Sequence, residues 1–69
     1  MVTIETEKVQ PTAAQVETFD HVIEMWKDAD VTLLAEMDED GTMLLHLTED
    51  GATTHARFAM SGCLMGDWF

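Results

Sequence analysis

Two histidines of the sequence are placed where their imidazoles could share a ligand. His46 and His55 lie in consecutive segments that predict paired strands, and the predicted register sets them directly opposite each other on the outer face. Cβ atoms of such a pair are about 5 Å apart, close enough for the rings to bind one Zn²⁺ or Cu²⁺ ion or to respond together to pH. A closed zinc site needs two more ligands, and Glu36 and Cys63 lack a recognised ligand spacing. A metal-binding module is therefore an alternative, and a solvated polar pair is the simpler interpretation.

The other residues with reactive side chains indicate no catalytic site. Cys63 lies in an apolar, Gly-rich tail of an acidic chain, which disfavours its thiolate, so we expect a small buried apolar side chain there. No phosphate-binding Gly-rich loop, catalytic-triad order or metalloprotease motif occurs. One small domain also leaves little room for a pocket of about 300 Å³. We expect a protein that is not an enzyme and needs no cofactor.

Acidic residues dominate the charge. Asp and Glu number 14 against three Lys and Arg, which gives a formal net charge of −11 over 69 residues. This balance excludes direct binding to nucleic acid, because binding needs Lys and Arg to displace counterions from phosphates. It also disfavours the anionic face of a membrane. With one cysteine, no signal-peptide pattern and no apolar run of about 18 residues, we expect a cytoplasmic protein without a disulfide framework.

Seven of these acids form two predicted clusters, an acidic stripe along one helix and an acidic loop. The stripe is Glu17, Asp20, Glu24 and Asp28, and the loop is Asp38, Glu39 and Asp40. The stripe residues recur three and four apart, so they share one helix face over about 16 Å. Like charges at this spacing cost about 0.2–0.5 kcal/mol per pair, so the stripe does not serve helix stability.

We predict that the acidic stripe and the acidic loop bind a protein partner with a basic surface. Negative charges in a row imitate a phosphate backbone and could occupy the cationic groove of a nucleic-acid-handling protein. In size, charge and lack of a catalytic motif, the chain resembles small phage-encoded inhibitors, including anti-CRISPR proteins and other DNA mimics. The resemblance covers no aligned residues, and it implies inhibition of such a partner.

An environmental origin of the charge is the main alternative. Nine Thr, two Lys and the large excess of acids are typical of a protein adapted to high salt, where screening removes self-repulsion. Such a chain would be a stand-alone halophilic domain or a homodimer formed through its sheet face. Leu34, Leu44, Trp68 and Phe69 form the predicted apolar patch for a partner or a second copy, unless the tail folds over it.

The elements that position these residues follow the order β-α-β-β-β. The predicted elements are strand 2–9, helix 12–29, strands 31–37, 42–48 and 52–60, and an apolar C-terminal tail over 61–69. Together they predict one α+β domain, with the helix on one face of a three- or four-stranded, largely antiparallel sheet. If the first strand joins the sheet, its crossover through the helix is expected to be parallel and right-handed. The tail is expected to cover a sheet edge or the open face.

The helix has a predicted start and a predicted buried face. Thr12 is a good N-cap, and Gln15 completes a capping box. The buried face is predicted at Val16, Phe19, Ile23 and Trp26, widened by Val22, Met25 and Ala29. Of these, Phe19, Ile23 and Trp26 are expected to pack on Leu33, Leu45 and Phe58.

Side-chain parity predicts the two hairpin loops. A three-residue loop, Glu39–Gly41, pairs Met37 with Met43 and keeps both on the core side, with Gly41 in the left-handed position of a bulge. The second hairpin needs only Asp50-Gly51 as a two-residue turn. The two loops share a sequence motif but are expected to differ in geometry.

Overall fold

The computed structural model describes residues 2–6 and 10–69. The elements are β1 (Val2–Thr6), α1 (Ala13–Met25), β2 (Val31–Met37), β3 (Met43–Glu49) and β4 (Ala52–Phe58). They form one four-stranded mixed sheet in the order β1-β2-β3-β4, with β1 parallel to β2 and the other pairs antiparallel. The predicted α+β fold is confirmed, and β1 joins the sheet. The last residues of the predicted first strand, 7–9, lie outside the described residues.

The first hairpin has the predicted three-residue loop. Met37 pairs with Met43. Asp38 and Thr42, the next residues toward the loop, close it, because Asp38 N donates to Thr42 O at 2.8 Å. Gly41 has φ +87°, a left-handed conformation that a residue with a Cβ adopts only with strain.

The second hairpin is the tighter of the two, as predicted. Glu49 pairs with Ala52, which leaves Asp50 and Gly51 as the turn. Both have positive φ, 52° and 81°, as a type I′ turn requires. The Asp-Gly pair supplies this geometry because aspartate tolerates the left-handed region better than most residues and glycine has no penalty there.

The core lies between α1 and one face of the sheet. Its buried apolar side chains are Val22, Val31, Leu33, Ala35, Met43, Leu45, Leu47, Ala56 and Phe58. Phe19, Ile23 and Trp26 pack against this cluster, as predicted. The alternate residues of β2 to β4 face the other side of the sheet, which no described helix covers.

The buried face of α1 is rotated from the predicted one. Val16 and Met25 were expected to face the core, but 43% and 64% of their surfaces are exposed. Gln15 is fully buried instead. Its Nε2 donates to the carbonyls of Gly41 (2.9 Å) and Ala59 (3.1 Å). A pattern of apolar residues alone could not predict this face, because a polar residue is at its centre.

The helix begins as predicted and ends earlier. Thr12 Oγ1 accepts from Gln15 N, and Gln15 Oε1 accepts from Thr12 N, so the capping box is confirmed. The helix ends at Met25, with Trp26 as the C-cap, rather than at residue 29. Acids that follow the last turn oppose the helix macrodipole and do not prolong the helix. Asp28, predicted as the last residue of the acidic stripe, therefore lies in the turn after α1.

β4 also ends earlier than predicted. It stops at Phe58 rather than at residue 60, and Met60 is 57% exposed. Ala59 N then donates to Cys63 O at 2.9 Å, which closes a turn back along the β4 edge. Cys63 is exposed, so the prediction of a buried thiol is wrong. Its position in this turn, outside the sheet, is the reason.

The C-terminal tail covers the edge of β4, one of the two predicted placements. His55 and Phe69 exchange two backbone hydrogen bonds of 2.7 and 2.8 Å. Trp68 points to the helix side and meets Phe58 edge-on, with ring centroids 6.3 Å apart. The four residues of the predicted apolar patch therefore do not form one surface, because Trp68 packs against the core while the Phe69 ring lies beside the His55 ring.

Replacing Gln15 by alanine should destabilise the protein by about 2–4 kcal/mol, since it leaves buried carbonyls without a donor and removes half of the capping box. Val16→Ala, one position along, should cost less than about 1 kcal/mol because Val16 is largely exposed. Urea denaturation of both variants measures the difference. Equal losses in the free energy of unfolding would contradict the burial of Gln15 and the exposure of Val16.

Candidate partner-binding surface

The histidine pair lies on the open face of the sheet, in the predicted register. His46 pairs with His55, and their Nδ1 atoms are 2.7 Å apart. The rings meet edge to face, with centroids 4.8 Å apart. His46 Nε2 is 3.0 Å from Glu36 Oε2. The three side chains form a hydrogen-bonded chain across three strands, of which the sequence predicts only the histidine pair.

This geometry is that of a hydrogen bond between the rings. Two Zn–N bonds of about 2.0–2.1 Å at a tetrahedral angle would hold the nitrogens about 3.3 Å apart. The observed Nδ1–Nδ1 distance is shorter, and Glu36 contacts the opposite nitrogen of His46. In the part of the chain that the structure describes, no group of three or more His, Cys, Asp or Glu could hold a metal ion. The metal-binding alternative thus gains no support from the arrangement.

The chain of hydrogen bonds predicts the tautomers of both neutral rings. An ionised Glu36 can only accept, so His46 should carry its proton on Nε2 and His55 should donate from Nδ1. Long-range ¹H–¹⁵N spectra recorded where the rings are neutral distinguish the two tautomers, with the exposed His21 as a reference. A His55 ring with its proton on Nε2 would contradict the bond.

The acidic stripe occupies the solvent side of α1. Glu17, Asp20 and Glu24 are exposed and lie opposite the buried residues Gln15 and Val22. Lys27 Nζ contacts Glu24 Oε1 at 2.8 Å, and both side chains are largely exposed. Such a surface pair contributes little to stability. Glu17 and Asp20 are therefore the two stripe acids on the helix whose charge no described cation contacts.

Two side chains of the acidic loop make contacts that stabilise the hairpin turn. Asp38 Oδ2 is 3.1 Å from Arg57 Nη1. The Thr42 hydroxyl donates to Asp40 Oδ1 at 2.7 Å, and Thr42 N donates to the same atom at 3.0 Å. Glu39 is exposed at the tip. Two of the three acids of the loop, Asp38 and Asp40, thus have side-chain contacts within the chain.

The Thr42 side chain lowers the pKa of Asp40 below the ordinary aspartate value, with help from the Thr42 N–H and the nearby Arg57 charge. Because the pKa is lower in the folded state, the ionised Asp40 stabilises the fold at pH values above the ordinary aspartate pKa. This stabilisation is lost as the pH falls through the lowered pKa of the folded state. Thr42→Val should raise the Asp40 pKa, measured by ¹³C titration of the carboxyl group. Thr48→Val, on the open face, is the control and should leave it unchanged. No change in Thr42→Val would contradict the contact.

A groove that was not predicted from the sequence opens between the end of α1 and the β3–β4 hairpin. It has a volume of about 320 Å³ and contains both tryptophans of the chain. Its lining residues are Met25, Trp26, Leu47, Glu49, Ala52, Thr54 and Trp68. We call it the tryptophan groove. The sequence feature that could have predicted this groove is the pair of tryptophans. One is at the helix end, and the other is in a tail too apolar to be left in solvent.

Comparison of the chain with protein-family models, with curated proteins and with solved structures finds no match. Among the described residues, no helix combines the length and apolarity needed to cross a membrane. The charges and contacts of the described residues are therefore the basis for any functional proposal.

Proposed function

We propose that the protein is a non-catalytic, cytoplasmic inhibitor that occupies the cationic groove of a nucleic-acid-handling partner as a phosphate mimic. The observation that carries this proposal is the acidic face of α1. Its carboxylates are exposed, while the opposite face is fixed against the sheet. Carboxylates on a fixed helix are held in place before binding, so little ordering is needed when the partner arrives.

The shortage of cations strengthens the proposal. The two described cations, Lys27 and Arg57, each contact an acid of the same chain. The whole chain has a formal net charge of −11 over 69 residues. The resulting field attracts a basic surface at long range and speeds association at low salt. Fixed acids with no internal cation are also costly for stability, which favours a role outside the fold.

The spacing of the helix carboxylates is compatible with a coarse imitation of phosphates. From Glu17 to Glu24 the axis rises about 10.5 Å, so the three acids of the face follow one another at about 5 Å. One strand of duplex DNA has a phosphate every 3.4 Å or so along its axis. The carboxylates of the helix alone are more widely spaced than these phosphates. The exposed Glu39 of the acidic loop and Asp28 after the helix add further negative charge.

Two charge-matched variants test the proposal. Glu17→Gln with Asp20→Asn neutralises the helix face, and Thr3→Lys with Thr53→Lys makes the same change of two charges, to −9, on the open sheet face. Affinity is measured for the basic protein captured from the native host at low salt. The helix variant should bind at least tenfold more weakly, and the sheet variant within about threefold of the wild type. Duplex DNA should compete with the wild-type protein.

The same experiment distinguishes the phosphate-mimic proposal from an environmental origin of the charge. A halophilic domain would lose salt-dependent stability in both variants and would show no difference between them in binding. If the helix variant binds as well as the wild type at low salt, the phosphate-mimic proposal is wrong.

A further inference from the structure

The tryptophan groove combines aromatic walls with a negative rim. Trp26 and Trp68 are half-buried and pack against the core, so their rings are held in place. The floor includes the buried Leu47, and Glu49 is the one acid among the lining residues. The volume of about 320 Å³ is at the lower end of the range for ligand pockets. It suits a side chain or a small molecule.

The end of α1 adds to the negative charge of this groove. Met25 and Trp26 are the last residue and the C-cap of the helix, where the macrodipole is negative. The last turn of α1, all of which is described, contains no basic residue. Lys27 follows the C-cap and is paired with Glu24, and Asp28 and Asp30 after it are exposed. A cation entering the groove would therefore meet the helix C-terminus and Glu49 together.

We propose that the tryptophan groove binds the guanidinium group of an arginine side chain on the basic partner. Indole faces attract cations through the ring quadrupole, and a planar, weakly hydrated guanidinium stacks on them better than an ammonium does. The Glu49 carboxylate can accept two parallel hydrogen bonds from the same group. This inference rests on the proposed function, because it names the side chain through which the partner is held.

Intrinsic fluorescence is a specific probe of this site, because both tryptophans of the chain line the groove. The probe ligand is N-acetyl-Gly-Arg-Gly-amide. Its neutral isostere with citrulline and its lysine analogue are the controls. The arginine peptide should change the emission saturably, with a Kd on the order of 1 mM for so few contacts. The citrulline peptide should bind about tenfold more weakly, and the lysine peptide more weakly than arginine.

A matched pair of variants separates the groove from the general negative field. Glu49→Gln and Glu39→Gln each remove one carboxylate, at the groove and at the other hairpin loop. Glu49→Gln should weaken the arginine peptide about fivefold or more, and Glu39→Gln less than twofold. Equal effects of the two variants, or equal binding of the arginine and citrulline peptides, would overturn the inference.

The two proposals can fail separately. The Glu17→Gln, Asp20→Asn variant should bind the arginine peptide almost as the wild type does, since Glu17 and Asp20 lie outside the groove lining. Arginine-selective peptide binding, together with a partner that binds the helix variant as tightly as the wild type, would contradict only the phosphate mimic. Loss of the partner from the helix variant, without any arginine selectivity in the wild type, would contradict only the groove.

Discussion

The orientation of helix α1 on the sheet depends on one buried amide. Gln15 is fully buried, and its side chain bonds the helix start at Thr12, the first hairpin loop at Gly41 and the chain after β4 at Ala59. Each buried donor or acceptor of this amide left without a partner would cost about 1–3 kcal/mol. The helix therefore has one rotation in which the amide is satisfied. Thr18 adds a second link, because its hydroxyl donates to Gly62 O at 2.8 Å.

That rotation of α1 places the acidic side chains and the tryptophan groove on different parts of the surface. With Gln15 and Val22 inward, the acids of α1 face solvent, and the helix end brings Trp26 over the groove that Trp68 completes. The tail is held in place by the two backbone hydrogen bonds between His55 and Phe69. The acidic face and the tryptophan groove thus arise from the same packing, and they are the two surfaces through which we propose that a basic partner binds.

Local rules predicted most of the fold. Parity placed Met37 opposite Met43 and His46 opposite His55, because a shift by one residue would turn a whole strand inside out. The ends of elements and the helix face were less predictable. Gln15 is polar and its acceptors are 26 and 44 residues away, so no window of sequence contains the reason for its burial. The same applies to the tryptophan groove, whose walls come from the helix end, a hairpin and the tail.

The central claim is that the Gln15 amide fixes the helix on the sheet, and the most direct test is NMR of that side chain. We expect Nε2 protons that have shifts away from random-coil values, exchange slowly with water and show NOEs to residues 41 and 59. A Gln15 amide with random-coil shifts and rapid exchange, like that of an exposed glutamine such as Gln10, would contradict the claim. The acidic face and the tryptophan groove would then lack the packing that positions them.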